Sequence, residues 1–164
     1  RLPIARTMPN TSSTIGLGAT GISFNDAASD GQRGLVLRIF RAVGTAHVVD
    51  ESLIDAVTAL SGSGPAYLYY MMEAMTDAAV SLGLPADTAR ALTVQTVLGA
   101  ANMVLETGEE PADLRRKVTS PGGTTQAAIE TFERQDFRGL VERAMRRAAE
   151  RAAELGAELE RSVT

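Results

Sequence analysis

The segment from Thr119 to Thr125 contains the residues best suited to bind a ligand. It reads Thr-Ser-Pro-Gly-Gly-Thr-Thr, and the following residues predict a helix that starts near Thr125. The first backbone N–H groups of a helix have no partner inside it, and the positive end of the helix dipole lies there. A helix start of this kind receives a carboxylate or phosphate. Gly122 and Gly123 would let such an anion approach the backbone closely.

Spacing alone leaves a second interpretation of this segment open. Gly-Gly-Thr is a common way to begin a helix, so the segment is equally typical of an ordinary connector whose threonine hydroxyls cap the next helix. The stretch Ser61-Gly62-Ser63-Gly64 is a similar candidate for binding an anion before a helix. For that stretch the connector interpretation is the stronger one, because glycines permit close helix crossing and Pro65 suits the first position of a helix.

Side chains for acid–base, nucleophilic or metal chemistry are scarce. The sequence has no cysteine and one histidine, His47, which lies in a strand-like run and is predicted to be structural. A disulfide, a thiolate nucleophile, a Ser–His–Asp set and a zinc site of the usual kind are therefore not expected. The acids at Glu109 and Glu110 follow a glycine at a helix end and are predicted to be solvated. No bound metal is expected.

Composition limits the class of protein. The 164 residues are 45% hydrophobic and 22% charged, as in a folded globular protein, and the net charge of −4 argues against nucleic-acid binding. The uncharged run from Ala91 to Leu105 is shorter than the roughly 20 residues of a membrane span, so no membrane insertion is expected. The absence of cysteine fits a cytoplasmic location. No N-terminal signal pattern is present, and a chain that begins at Arg1 is consistent with a lost true beginning.

The first fifty residues differ from the rest in their pattern of apolar and turn-forming residues. They predict short strands around residues 2–5 and 19–24, a helix from Gly31 to Val43, and a strand from Thr45 to Val49. So few strands cannot cover both faces of a sheet, which predicts a missing partner.

After Asp50 the pattern is helical nearly throughout. The helices are predicted at residues 51–60, 65–82, 85–107, 111–118, from near 125, and 137–159. Asp50 is the predicted N-cap of the first, and Gly83 and Gly108 are predicted to end the second and third in the left-handed conformation.

Two of these helices carry information about partners. The helices at 65–82 and 85–105 are apolar around most of their circumference, and such a helix must be covered on all sides. One interpretation is a central helix in a monomer. The interpretation we prefer is an interlocked dimer, in which each subunit's bundle encloses helices of the other.

Several motifs occur together in the order found in one enzyme family. They are Arg-Thr-Met-Pro-Asn-Thr at 6–11, Leu-Ser-Gly-Ser-Gly-Pro-Ala-Tyr at 60–67, Gly-Leu-Pro at 83–85, Gln-Thr-Val-Leu-Gly-Ala-Ala at 95–101 and Val-Thr-Ser-Pro-Gly-Gly-Thr-Thr at 118–125. Over essentially its whole length the chain resembles pyrroline-5-carboxylate reductase.

The resemblance implies a fold and an activity. These enzymes reduce 1-pyrroline-5-carboxylate to L-proline with NADPH or NADH, and combine an N-terminal Rossmann domain with a helical domain that interlocks with a second subunit. We therefore expect a mainly α chain. Residues 1–50 would be the end of the Rossmann domain, and 51–164 an interlocked dimeric helical bundle that forms a homodimer or a higher homo-oligomer. No Gly-x-Gly-x-x-Gly follows a strand here, so the fragment alone is expected to bind no nucleotide measurably and to be inactive.

The resemblance also implies a site. Substrate binding falls to Ser120, Gly122, Gly123, Thr124 and Thr125. In this scheme the N–H groups of Gly123, Thr124 and Thr125 take the carboxylate, and the Thr125 hydroxyl, the catalytic assignment, meets the ring nitrogen. Asn10 would lie near the nicotinamide. Hydride addition to a protonated C=N bond mainly requires two positioned reactants and little water, so the lack of a catalytic His or Cys is no objection.

Two other functions remain open at this point. One is a dimerisation module without a ligand, in which the Pro-Gly-Gly segment is only a connector. The other is a related imine or β-hydroxyacid reductase. Those enzymes typically use a Lys or Asp from the first helix after the Rossmann domain, whereas Lys117, the sole lysine, lies far along this chain.

Overall fold

A computed structural model describes residues 1–163 of the chain. They form two compact units, one comprising Arg1–Tyr67 with the chain from Glu142 onward and the other Leu68–Val141. The boundary predicted near residue 50 falls inside the first unit and stays a prediction.

The first unit is built on a three-stranded sheet. Its strands are β1 (Ala5–Met8), β2 (Gly18–Phe24) and β3 (Gly44–Val48), in the order β1-β2-β3. Strand β1 runs antiparallel to β2, with Ala5 opposite Phe24, and β2 runs parallel to β3, with Gly18 opposite Gly44. The predicted mixture of short strands is confirmed, with ends displaced by a few residues.

Strand β2 is the buried centre of this unit, and two glycines bring other segments directly against it. A Cβ on Gly44, whose φ is 149°, would lie 2.0 Å from the carbonyl oxygen of Gly18. A Cβ on Gly21 would lie 2.6 Å from a methyl group of Val57. Only glycine fits at both positions. Ile22, which follows Gly21 on β2, is fully buried.

Helix α1 (Asp30–Arg41) begins with a capping box. The Ser29 hydroxyl accepts from the Gln32 N–H, and the Gln32 side chain accepts from the Ser29 N–H at 2.9 Å. A shallow apolar groove of about 210 Å³ lies where this helix meets the edge of the sheet, and Leu35, which borders it, is 50% exposed. The groove is lined by Pro3, Ile4, Ala5, Phe24, Ala28, Gln32, Leu35 and Val36. An uncovered apolar surface beside the sheet agrees with the predicted missing partner.

The segment after Asp50 differs from the single helix predicted at 51–60. It consists of a 3-10 turn (Glu51–Leu53), the short helix α2 (Ile54–Val57) and a π-helical turn (Thr58–Gly62). The hydroxyls of Thr58 and Ser61 donate to the carbonyl oxygens of Ile54 and Val57 at 2.8 and 3.1 Å. Such bonds compete with the backbone ladder, which here widens into a π turn closed by the Ser63 N–H on the Thr58 carbonyl at 2.8 Å.

The prediction that Asp50 is the N-cap of this segment is confirmed, although its side chain takes no part. Asp50 has the extended backbone of an N-cap, but its side chain makes no capping hydrogen bond. Its carbonyl oxygen instead accepts from the Leu53 N–H at 2.9 Å, so a tight main-chain turn starts the segment.

The remaining helices lie close to their predicted positions. They are α3 (Gly64–Ser81), α4 (Ala86–Thr107), α5 (Pro111–Lys117), α6 (Thr124–Arg134) and α7 (Phe137–Val163). Gly83 and Gly108 follow α3 and α4 with φ of 100° and 65°, which confirms the predicted left-handed ends. Helix α7 continues beyond its predicted end at Leu159.

The second unit has almost no core of its own. Among its residues only Ala89 and Thr93, one helical turn apart on α4, are buried. Large apolar side chains elsewhere on α3 and α4 are about half exposed or more, including Leu68, Tyr70, Leu92, Val94, Leu98 and Met103. The predicted all-round apolar character is therefore confirmed, and most of that surface is uncovered in a single chain.

An ion pair ties β1 to the segment after Asp50. The Arg6 guanidinium donates to Glu51 at 2.6 Å and lowers the pKa of that carboxyl. Because the folded state holds the proton less well than the unfolded chain, the pair stabilises the fold at neutral pH, and this stabilisation is lost as the pH falls through the lowered pKa. Both side chains are about half exposed, which limits the effect to about 0.2–1 kcal/mol.

We therefore expect Glu51→Gln to lower the free energy of unfolding by that amount at pH 7. At an acidic pH below the lowered pKa of Glu51, the variant and the parent should be equally stable, since the parent carboxyl is then protonated as well. Urea titrations at the two pH values measure this. A difference that stays constant between them would show that Glu51 acts through packing rather than through charge.

Candidate anion-binding site

The Ser-Pro-Gly-Gly sequence forms a tight turn between α5 and α6. The Gly123 N–H donates to the Ser120 carbonyl oxygen at 3.0 Å, and Gly122 has φ of 70°. Proline at the second position and a left-handed residue at the third are typical of a type II turn. Glycine is therefore required at 122, because other residues adopt this backbone conformation only with strain.

Helix α6 follows this turn at once and has free N–H groups in its first turn. Gly123 is the N-cap, and the first bond of the helix runs from the Ala127 N–H to the Gly123 carbonyl oxygen at 3.2 Å. The N–H groups of Thr124, Thr125 and Gln126 precede that bond. None of the described residues accepts a hydrogen bond from them.

The predicted set of anion-binding amides included the Gly123 N–H, and on this point it needs a correction. Its N–H closes the turn and is satisfied inside the fold, so Gly123 does not offer the free donor that was expected. A Cβ at Gly123 would lie 3.0 Å from the Ser120 carbonyl oxygen, which shows that glycine here serves the turn itself. The hydroxyls of Thr124 and Thr125 make no capping bond and stay available to a ligand.

Gln126 is the residue that the sequence interpretation missed. Its side-chain oxygen accepts from the Gly122 N–H at 2.7 Å, and its side-chain nitrogen donates to Glu130 at 2.6 Å. Gln126 stands third in α6, the position from which a Gln or Glu commonly reaches back to the residues before the helix. The sequence therefore contained a signal for this contact, but the Ser or Thr that usually stands at the N-cap in this motif is replaced by Gly123.

The positive potential at this turn comes from the helix rather than from side-chain charges. The last turn of α5 carries Arg115, Arg116 and Lys117, and the first turn of α6 carries no acid. Each of the three cations is paired with a carboxylate: Arg115 with Glu133 at 3.8 Å, Arg116 with Asp113, and Lys117 with Glu109. The unpaired donors are backbone amides at the positive end of the α6 dipole.

The predicted substrate residues are thus gathered in one turn and one helix start. Ser120, Gly122 and Thr124 are exposed, whereas Gly123 and Thr125 are half-buried. Ser120 contributes the carbonyl oxygen that closes the turn.

Asn10 belongs to the first unit and is held at both ends of its amide. Its oxygen accepts from the Ala19 N–H at 3.1 Å, and its nitrogen donates to the Ser61 carbonyl oxygen at 3.0 Å. The side chain thereby joins the end of β1 to the start of β2 and to the π turn. One N–H of the amide remains for a ligand, so the predicted contact with the nicotinamide remains a prediction.

Other kinds of site find no support within residues 1–163. No group of three or more His, Asp or Glu side chains there is arranged to hold a metal ion. In the same range, no helix combines the length and apolar character needed to cross a bilayer.

Residues 51–155 match the family model for pyrroline-5-carboxylate reductase dimerisation. The chain belongs to the pyrroline-5-carboxylate reductase family.

Relatives of known name agree with this. The chain is 51% identical over 144 residues to the pyrroline-5-carboxylate reductase of Pseudomonas aeruginosa, a match covering 87% of this chain and 53% of the relative. It is 44% identical over 140 residues to the enzyme of Pisum sativum, covering 85% and 51%. The chain therefore spans about half the length of the curated relatives it matches.

Solved structures give the same result for the fold. A pyrroline-5-carboxylate reductase from Coxiella burnetii superposes with a TM-score of 0.90 at 49% identity, covering 93% of this chain and 57% of that one. The Plasmodium falciparum pyrroline carboxylate reductase, solved with NADP bound, gives a TM-score of 0.88 at 32% identity, covering 94% and 62%. The expected mainly helical fold after a Rossmann fragment is confirmed.

Proposed function

We propose that the protein carrying this chain reduces 1-pyrroline-5-carboxylate to L-proline with NADPH or NADH. The observation that carries the proposal is the pair of unbonded amides at Thr124 and Thr125, held behind a Pro-Gly turn in a chain of this family. The substrate is a small cyclic imine with one carboxylate, and a helix start with free amides suits a small anion of that kind.

In this proposal the backbone binds the carboxylate. The N–H groups of Thr124 and Thr125 take its two oxygens, and the Gln126 N–H is the third free donor of the same turn. Gly123, which was expected to contribute, does so only by shaping the turn. Ser120 and Gly122 act in the same indirect way, as the first and third residues of that turn.

Thr125 has the second role. Its half-buried hydroxyl lies one residue beyond the first carboxylate donor, and we assign it to the ring nitrogen of the substrate. A reduced nicotinamide, when bound, would be the source of the hydride that the carbon of the C=N bond receives. The nitrogen carries a proton in the iminium form, and the product is the ring amine. Thr125 would orient that nitrogen, and the carboxylate contacts would hold the ring, so the chain acts chiefly by positioning.

Asn10 is our candidate for a contact with the cofactor. The one N–H that its amide keeps free could donate to a polar group of the nicotinamide. We place the dinucleotide phosphates outside residues 1–163, because no Gly-x-Gly-x-x-Gly follows a strand here and the family members are about twice as long. The choice between NADPH and NADH would be made there as well. On this division, residues 1–50 complete the nucleotide-binding domain and residues 51–164 form the helical one.

We also propose a homodimer as the smallest assembly. The uncovered apolar faces of α3 and α4 are the support, because water-exposed apolar surface of this extent is typical of a protein–protein interface. A second copy of the chain has the same faces and can cover them mutually. We keep the cytoplasm as the expected location.

Replacing Thr125 by valine tests the assignment of the hydroxyl. Valine keeps the shape and the backbone N–H, so we expect intact carboxylate binding but a fall of about 10- to 100-fold in kcat/KM for the imine, as for one lost hydrogen bond to a charged group. Steady-state kinetics of the full-length reductase measure this. Thr88→Val, the same change in the exposed first turn of α4, is the control. Unchanged kinetics in Thr125→Val would remove that hydroxyl from the site.

A further inference from the structure

We infer that Gln126 is a positioning residue of the reductase, which holds the Pro121–Gly123 turn so that the amides of Thr124 and Thr125 face the substrate carboxylate. The inference rests on the proposed function of that turn. It concerns a side chain that does not itself touch the substrate.

The contacts of Gln126 connect the turn to the body of α6. Its oxygen accepts from the Gly122 N–H at 2.7 Å, its nitrogen donates to Glu130 at 2.6 Å, and Glu130 lies 4.0 Å from Arg134. Gly122 is the left-handed residue of the turn, and a Cβ there would meet nothing within 4 Å. The hydrogen bond that the Gly122 N–H donates to the Gln126 side chain therefore ties the turn to α6.

Glu130 decides which way the Gln126 amide points. A carboxylate only accepts hydrogen bonds, so the side-chain NH2 of Gln126 must turn toward Glu130. Its oxygen is then left for the Gly122 N–H. The two hydrogen bonds can therefore form in only one sense: the Gly122 N–H donates to the Gln126 oxygen, and the Gln126 NH2 donates to Glu130.

The hydrogen bonds within the turn also limit which backbone amides can bind an anion. Gly122 gives its N–H to Gln126, and Gly123 gives its N–H to Ser120. Both amides before the helix are therefore used inside the fold, and only those within the first turn of α6 remain. Phosphate cradles use longer runs of free amides. The arrangement therefore favours the two oxygens of a carboxylate.

Gln126→Leu in the full-length reductase tests the inference. Leucine keeps the size and helix propensity but cannot bond to Gly122. We expect KM for the imine to rise about 3- to 10-fold, as for one lost hydrogen bond. The turnover number should stay within about twofold, because a loss of binding common to substrate and transition state raises KM alone. Gln135→Leu, the same exchange at the exposed far end of α6, should change neither.

A second variant separates positioning from simple helix stability. Glu130→Gln leaves Gln126 in place but lets its amide turn over, since the new side chain can both donate and accept. We expect a smaller rise in KM and, by hydrogen exchange followed by NMR, faster exchange at the Gly122 amide. If both variants lower the melting temperature while KM is unchanged, Gln126 is only structural and the inference is overturned.

The activity of the parent enzyme distinguishes a failure of the proposed function from a failure of the positioning role of Gln126. If the parent does not reduce the imine, the proposed function itself fails. If the parent is active and Gln126→Leu matches it in KM, only the positioning role fails.

Discussion

Replacing Leu98 by lysine is expected to abolish assembly of the chain. Leu98 lies on α4 on the side opposite to the buried Ala89 and Thr93, since the separations of nine and five residues correspond to about 180° and 140° at about 100° per residue. The internal packing of the second unit therefore leaves Leu98 about half exposed, and we expect a second copy of the chain to bury it.

The expected size of this effect is large. Burying a leucine contributes about 1.5–3 kcal/mol, and a buried unpaired ammonium adds several kcal/mol of desolvation cost. A symmetric dimer carries the change twice, and the sum rivals the total stability of about 5–15 kcal/mol of an ordinary domain. Because the second unit has almost no core of its own, we expect the helix content to fall together with the dimer.

Sedimentation analysis and circular dichroism at matched concentrations measure both losses. The control is Glu106→Lys, which places the same side chain on the same helix at an exposed position that is already charged. This control should remain dimeric and helical. A Leu98→Lys protein that sediments as the parent does and melts at the same temperature would show that this face of α4 is not in the interface.

Replacing Thr124 by proline is expected to weaken substrate binding strongly while leaving the fold intact. Thr124 is the first residue of α6, where proline is well tolerated because its missing N–H has no partner in the helix. Gly123 before it has φ of −84° and ψ of 171°, the extended conformation that a following proline requires. The exchange deletes one of the two proposed carboxylate donors and places a ring carbon where the anion would lie.

The loss of one hydrogen bond to a charged group corresponds to about 1.5–3 kcal/mol, or about 10- to 150-fold in affinity. The KM for the imine in the full-length enzyme and a calorimetric titration with L-proline would measure it. The matched control is Asp30→Pro at the first position of α1, which should leave both values unchanged. If Thr124→Pro binds L-proline as the parent does, the carboxylate is not held at the start of α6.

Much of the fold was predictable because local chemistry marks it. Gly83 and Gly108 end α3 and α4 in the left-handed conformation that the sequence indicated, and Pro111 begins α5. The segment after Asp50 was not predictable in detail. One turn of α-helix and one π turn differ little in apolar spacing, and the choice depends on which carbonyl groups the hydroxyls of Thr58 and Ser61 reach.

The site was predictable in place but not in its donors. Pro121 and Gly122 indicated the turn, and the helix start after them indicated free amides. The state of each amide depends on the closed geometry: the turn uses the Gly123 N–H, and Gln126 uses that of Gly122. A pattern of residue types does not specify either of these two hydrogen bonds. The Pro-Gly pair is nevertheless compatible with the turn that uses the Gly123 N–H.

The pairing of every cation in the last turn of α5 has a consequence for how the enzyme would respond to acidity. The donors left to hold the carboxylate are peptide groups, and peptide groups have no proton to gain or lose in the physiological range. A receptor of that kind keeps its strength as the medium changes from mildly acidic to mildly alkaline. The pH response of imine reduction would then originate in the ring nitrogen of the substrate rather than in the groups that hold its carboxylate.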